Sequence, residues 1–163
     1  MDNIQNKFKK IKVLGIDVDG VLTDGRIILG NKGEKFKFFN ANDVTGKKKA
    51  QKAGIVIILI TARESNIVKN RAEELGIKEV FQNISNKERI YNKIMSDYKL
   101  GKGEFAYIGD DLHDIDILKK AGVSFSVGDA VEKIKSIADY TAKNNGGRGA
   151  VREIIDLIIN AKS

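Results

Sequence analysis

The chain of 163 residues has no cysteine and no proline, and only 7% of it is aromatic. Without cysteine there is no disulfide and no thiolate chemistry, which agrees with a cytoplasmic address. No stretch approaches the ~20 consecutive apolar residues of a membrane span, although 42% hydrophobic content is enough for a core. Lysines at 7, 9, 10 and 12 precede an apolar run, but Asp17 and Asp19 interrupt it, so it does not read as a secretory leader. One domain, residues 1–163, is the natural count at this length. The formal charge of +7 arises from 29 Lys and Arg against 22 Asp and Glu. It suits an anionic substrate. The basic residues are scattered and not interleaved with aromatics, which argues against nucleic acid, and the apolar stripe Val151, Ile154, Ile155 and Ile158 reads as core or subunit contact rather than a membrane face.

Short apolar runs recur at Ile11–Ile16, Ile55–Ile60, Val80-Phe81, Phe105–Ile108 and Val123–Val127. Helical periodicity fills the intervals 43–53, 65–75, 86–98, 112–120 and 131–138, and again 150–161. Ala53-Gly54, Leu75-Gly76 and Ala121-Gly122 place a glycine where a left-handed helix cap belongs. This alternation predicts an α/β fold, a Rossmann-like parallel sheet with helices on both faces. One segment departs from it. Arg26–Leu29 and Glu34–Phe39, joined by Gly30-Asn31-Lys32-Gly33, read as a β-hairpin (25–40) inserted after the first strand.

Where the first strand ends stands Asp17-Val18-Asp19-Gly20-Val21-Leu22-Thr23-Asp24-Gly25. Two carboxylates two residues apart on an extended chain point the same way, and they repel unless a cation or a shared proton relieves them. Acidic turns and calcium loops use the same letters. An EF-hand, however, needs Glu at its twelfth position, where this chain has Ile28.

Three further strand ends carry suggestive residues: Thr61-Ala62-Arg63, then Lys87, then Gly109-Asp110-Asp111 with Asp114 beyond. Singly, each has an ordinary explanation in a helix cap or a solvated charge. In a parallel α/β sheet, ligands sit off the carboxyl ends of the strands. All four therefore share one rim, and together they supply what phosphoryl transfer requires. Asp17 is the expected nucleophile and Asp19 the expected acid and base. Asp110 would complete a Mg2+ site with Asp17 and the Asp19 carbonyl. Thr61 and Lys87 would hold phosphoryl oxygens, while Asp111 or Asp114 would orient the metal's surroundings or Lys87. His113, the only histidine, is expected on a surface loop rather than among metal ligands. The competing reading is a phospho-accepting receiver domain or a non-catalytic assembly module. A receiver carries its acidic pair early and ends in a Lys-Pro step, and this chain has its double Asp late and no proline.

The ordered set DVDGVLTDG, ITARES, AEELGIKEVFQ, AYIGDDLHDIDIL and GGRGAVREI resembles the haloacid dehalogenase superfamily. Within it, nearly the whole chain is similar to the family of 3-deoxy-D-manno-octulosonate 8-phosphate phosphatases. The resemblance implies a capless, Mg2+-dependent phosphomonoesterase acting on a sugar-acid phosphate of lipopolysaccharide synthesis. It also implies a homotetramer whose hairpins pack centrally and whose sites are shared between subunits. By the same resemblance, Arg63 would meet the sugar-acid end, and Arg148, in the tail 145–163, would reach a neighbour's substrate. The chain departs from the family where Asn42-Asp43-Val44 replaces Arg-Asp-Gly and where Ala62 replaces a glycine. Relatives acting on nine-carbon 9-phosphates carry Glu in place of Arg63, so the eight-carbon acid is the expected substrate.

Overall fold

The computed structural model describes residues 2–163. Its strands are β1 (Val13–Ile16), β2 (Ile28–Gly30), β3 (Gly33–Phe36), β4 (Val56–Ile60), β5 (Glu79–Phe81), β6 (Phe105–Gly109), β7 (Val123–Ser126) and β8 (Tyr140–Thr141). Six of them form one parallel sheet in the order β5-β4-β1-β6-β7-β8. β1 and β6 are buried at every position, as expected of strands covered on both faces. From β1 the chain winds outward to β4 and β5, then crosses back to β6 on the other side of β1. That reversal opens a crevice at the carboxyl ends of β1 and β6, where open α/β sheets bind ligands.

The helices are α1 (Asp2–Lys9), α2 (Asn42–Lys52), α3 (Asn66–Leu75), α4 (Lys87–Asp97), α5 (Ile115–Lys120), α6 (Glu132–Lys135) and α7 (Ala150–Lys162). α7 packs on both α1 and α2, while α4 packs on α5; right-handed crossovers put these groups on opposite faces. The stripe Val151, Ile154, Ile155 and Ile158 along α7 is buried core. At about 1.5–3 kcal/mol for each fully buried aliphatic side chain, that stripe makes α7 integral to the fold.

Two elements were not expected. α1 has too few apolar residues for a clear period, yet Phe8 is buried against Phe125 at 5.4 Å between ring centroids. β8 is only two residues long, and it is recognisable through its pairing with β7. The hairpin lies as expected, but its turn is tighter. Gly30 pairs with Gly33, so only Asn31-Lys32 form the loop, and a Thr23–Phe39 bridge closes the base. Its outer face exposes Ile27, Leu29, Phe36 and Phe38.

Gly76 caps α3 in the left-handed region at φ 64°, as expected. Gly122 does not: α5 ends at Lys120 with Ala121 as its cap, and Gly122 is absent from the left-handed set. A Cβ on Gly122 would overlap the backbone of Gly103, so close approach of two chain segments explains this glycine. Gly122→Ala should therefore destabilise the protein by about 1–3 kcal/mol, the usual range for overpacking, in urea unfolding. No loss would show that the two segments separate freely.

Candidate active site

The loop after β1 turns sharply. Asp17 is extended, Gly20 adopts φ 84°, and Thr23 returns its N–H to the Val18 carbonyl. Asp17 is 2% exposed. One carboxylate oxygen accepts from the Val18 N–H at 2.7 Å; the other lies 2.8 Å from His113 Nε2 and 3.1 Å from Lys87 Nζ. Lys87 opens α4, an unfavourable place for a cation beside the positive helix end. Its ammonium is buried and donates to Asp114 Oδ1 at 2.7 Å and to the Tyr107 hydroxyl at 2.9 Å. Tyr107 in turn donates to Asp114 Oδ1 at 2.9 Å. The register explains its reach: Tyr107 lies opposite Gly15, where a Cβ would press on the tyrosine ring.

Asp114 is fully buried and fully engaged. Besides Lys87 and Tyr107, its second oxygen accepts the Asp110 and Asp111 N–H groups at 3.0 and 3.3 Å. Asp111 is exposed and caps the short helical turn 112–114, the ordinary role available to a Gly-Asp-Asp turn. Asp110 differs from both. Its Oδ1 is buried with no hydrogen-bond partner among the described residues, and its other oxygen occupies the space that a Cβ on Gly20 would need. Single ligand atoms of Asp17, Asp110, His113 and Asp114 all lie within 4.8 Å of one another. A buried, unpartnered carboxylate oxygen beside a second carboxylate is a donor set suited to a hard divalent cation. Asp17 and Asp110 are the carboxylates of this group that could serve it; Asp114 is spent on Lys87, Tyr107 and backbone.

Sequence and structure differ at His113. It was expected on the surface, and its ring is indeed 44% exposed, yet Nε2 reaches inward to Asp17. A helical turn directly after the Gly-Asp-Asp brings it there. Asp19 faces the hairpin, with Oδ1 2.6 Å from Lys37 Nζ. Thr61 ends β4 buried, its hydroxyl oxygen accepting from the Arg63 N–H at 3.4 Å, with Arg63 exposed at the rim. Arg148 stands apart from the acidic cluster. It lines a hollow of about 410 Å³ with Asp24, Arg26, Phe39 and Asn40. The glycines before it pack under the β1 loop, where the Gly147 N–H donates to the Val21 carbonyl at 3.0 Å. Of the departing residues, Asp43 is buried near Arg71, and burial pushes its carboxyl up to about 6.

Sequence reasoning missed Lys37, Tyr107 and the inward reach of His113. Alternation in Phe36-Lys37-Phe38 offered a signal, but its sense is inverted: the phenylalanines are exposed and the lysine side chain is 1% exposed.

A haloacid dehalogenase-like hydrolase family model matches residues 77–155. Fold and site together define a phosphomonoesterase of that class. The chain is 39% identical over 160 residues to the 3-deoxy-D-manno-octulosonate 8-phosphate phosphatase of Escherichia coli, covering 98% of this chain and 85% of that one. It belongs to the 3-deoxy-D-manno-octulosonate 8-phosphate phosphatase family. The Moraxella catarrhalis phosphatase, solved with magnesium, phosphate and KDO, superposes with a TM-score of 0.95 at 37% identity, covering 99% of this chain and 93% of that one. A cobalt-bound Haemophilus influenzae phosphatase gives 0.93 at 36% identity, with coverage of 96% and 91%. The receiver and assembly-module readings fall with this membership.

Burial, with Asp17 and Asp114 nearby, drives the Asp110 carboxyl up to about 8. Asp17 is raised by burial and by Asp114, against the pull of His113 and Lys87. His113 is raised by its bond to Asp17. Burial works against ionising Asp114 too, but Lys87 and His113 hold its carboxyl below the usual range. Groups that bind protons more tightly when folded give stability at low pH and lose it as pH rises through their folded pKa. Chelator-treated protein should therefore melt progressively lower between about pH 4 and about pH 8. Millimolar magnesium should flatten that slope, as read by differential scanning fluorimetry. A midpoint rising with pH in chelator would contradict this electrostatic arrangement.

Proposed function

We propose that the enzyme hydrolyses 3-deoxy-D-manno-octulosonate 8-phosphate to the sugar acid and inorganic phosphate through an aspartyl-phosphate on Asp17. The observation that carries this is the Asp17 carboxylate, buried between Lys87 and His113, with a ligand atom of Asp110 within 4.8 Å and Asp110 Oδ1 unpartnered among the described residues. Asp17 attacks phosphorus; its new O–P bond forms as the bond to the C8 oxygen breaks. Asp19 gives that oxygen its proton, then takes one from the water that attacks the acyl phosphate, and phosphate leaves with Asp17 restored. Lys87 and the Thr61 hydroxyl donate to the phosphoryl oxygens. Lys87 is positioned for this by Asp114 and Tyr107. A magnesium ion, held by Asp17, Asp110 and the Asp19 carbonyl, supplies further neutralisation of phosphoryl charge. The metal-bound Moraxella and Haemophilus relatives support that choice of ion class.

Arg63 meets the acid end of the sugar, and its position at the rim, with no Glu in its place, favours the eight-carbon acid. Arg148 approaches the substrate of a neighbouring subunit. The assembly is a homotetramer formed on the hairpins, supported by the exposed row Ile27, Leu29, Phe36 and Phe38. The whole chain acts as one catalytic domain in the cytoplasm; among its described residues no helix is long and apolar enough to cross a membrane.

Asp17→Asn should abolish turnover of sugar-acid phosphates while leaving the circular dichroism spectrum unchanged; retained hydrolysis would remove Asp17 as nucleophile. Phe38→Glu should shift sedimentation velocity towards smaller species. An unaltered sedimentation coefficient would place the assembly surface elsewhere.

A further inference from the structure

The hairpin does more than border the site. Among the described residues Lys37, just beyond β3, is the one cation touching Asp19, at 2.6 Å, and it also ion-pairs Glu34 at 2.6 Å. Glu34 accepts the hydroxyl of Ser65, and Ser65 caps α3 by accepting the Val68 N–H. Ser65 is tied down again through its own N–H, which donates to Gln82 Oε1 at 2.7 Å. The chain Asp19–Lys37–Glu34–Ser65 thus links three separate loops at the sheet's carboxyl edge: the β1 loop, the hairpin and the β4–α3 loop. Asp19 itself is one-fifth exposed, and among the described residues Lys37 is the only side chain that holds its carboxylate.

Burying a lysine this completely is costly without partners, and both partners here are carboxylates. The pair ends on the β1 loop at Asp19, two residues from Asp17. We infer that Lys37 is a positioning residue for Asp19: its ammonium, anchored by Glu34 and Ser65, fixes the direction from which Asp19 delivers its proton to the leaving oxygen. The inference rests on the acid role proposed for Asp19 and extends it to the hairpin. A displacement of about 1 Å in a catalytic group lowers rate by roughly a hundredfold.

The distinguishing property is dependence on the leaving group. A sugar alkoxide needs a proton as it departs, whereas 4-nitrophenolate leaves without one. Lys37→Met should lower kcat/KM for the 8-phosphate by about a hundredfold, and for 4-nitrophenyl phosphate by much less. In an Asp19→Asn background, Lys37→Met should add no further loss on either substrate, because its action passes through Asp19. Lys37→Gln, which keeps a donor in the slot, should show the same selectivity with a smaller loss. It carries the test if the methionine variant does not fold by circular dichroism. Equal losses on both substrates, or a full additional loss in the Asp19→Asn background, would overturn the inference. If the wild type hydrolyses neither phosphate, or Asp19→Asn shows no leaving-group selectivity, the acid role itself fails, and that outcome is distinct from failure at Lys37 alone.

Discussion

Like charge in a small buried space governs the arrangement of everything around the β1–β6 crevice. Two carboxylates 4 Å apart repel by about 4 kcal/mol at the effective dielectric of a protein site, and here Asp17, Asp110 and Asp114 have donor atoms within 4.8 Å. Each neighbour answers that repulsion in a specific way. Lys87 accepts a poor position at the start of α4 because Asp114 and Asp17 repay it with two charged contacts. Asp114 takes a hydroxyl and two backbone N–H groups besides. Among the described residues Asp110 receives none of this for Oδ1, a deficit of the kind a divalent ion would satisfy.

Such crowding requires that backbone segments come closer than side chains allow. Gly20 leaves room for the Asp110 carboxylate, and Gly146 lies against the Gly20 carbonyl from behind. The Gly146 N–H donates to Asp129 at 2.8 Å, so the second glycine segment is itself fixed. The β1 loop is thus held from two sides, by Asp110 within the site and by the glycine-rich turn before α7 beneath it. This gives the Gly146-Gly147-Arg148-Gly149 sequence a structural task in its own subunit, separate from any substrate contact by Arg148.

Much of this was legible because period and order carry it. Buried runs between amphipathic intervals specified the parallel sheet, and the sheet's geometry then gathered Asp17, Thr61, Lys87 and Asp110 from distant positions onto one edge. What escaped notice depends on tertiary context. His113 reads as a loop residue until the 112–114 turn is seen to roll it inward. Gly122 resembles a helix cap, and only the proximity of Gly103 shows otherwise. Lys37 was concealed by a rule that works elsewhere, since alternation between aromatic and charged residues ordinarily sends the charge to water.

That inverted ribbon couples two faces of the molecule through a single peptide step. Phe36 and Phe38 are half-exposed on one side, and Lys37 between them is locked to Asp19 on the other. Because Phe36, Lys37 and Phe38 are consecutive, whatever grips the outer aromatics also restrains the lysine between them. If Asp19 delivers the proton as proposed, that delivery is mechanically coupled to the surface proposed for assembly, so a neighbouring subunit seated on the two phenylalanines would tune turnover without ever approaching the phosphate.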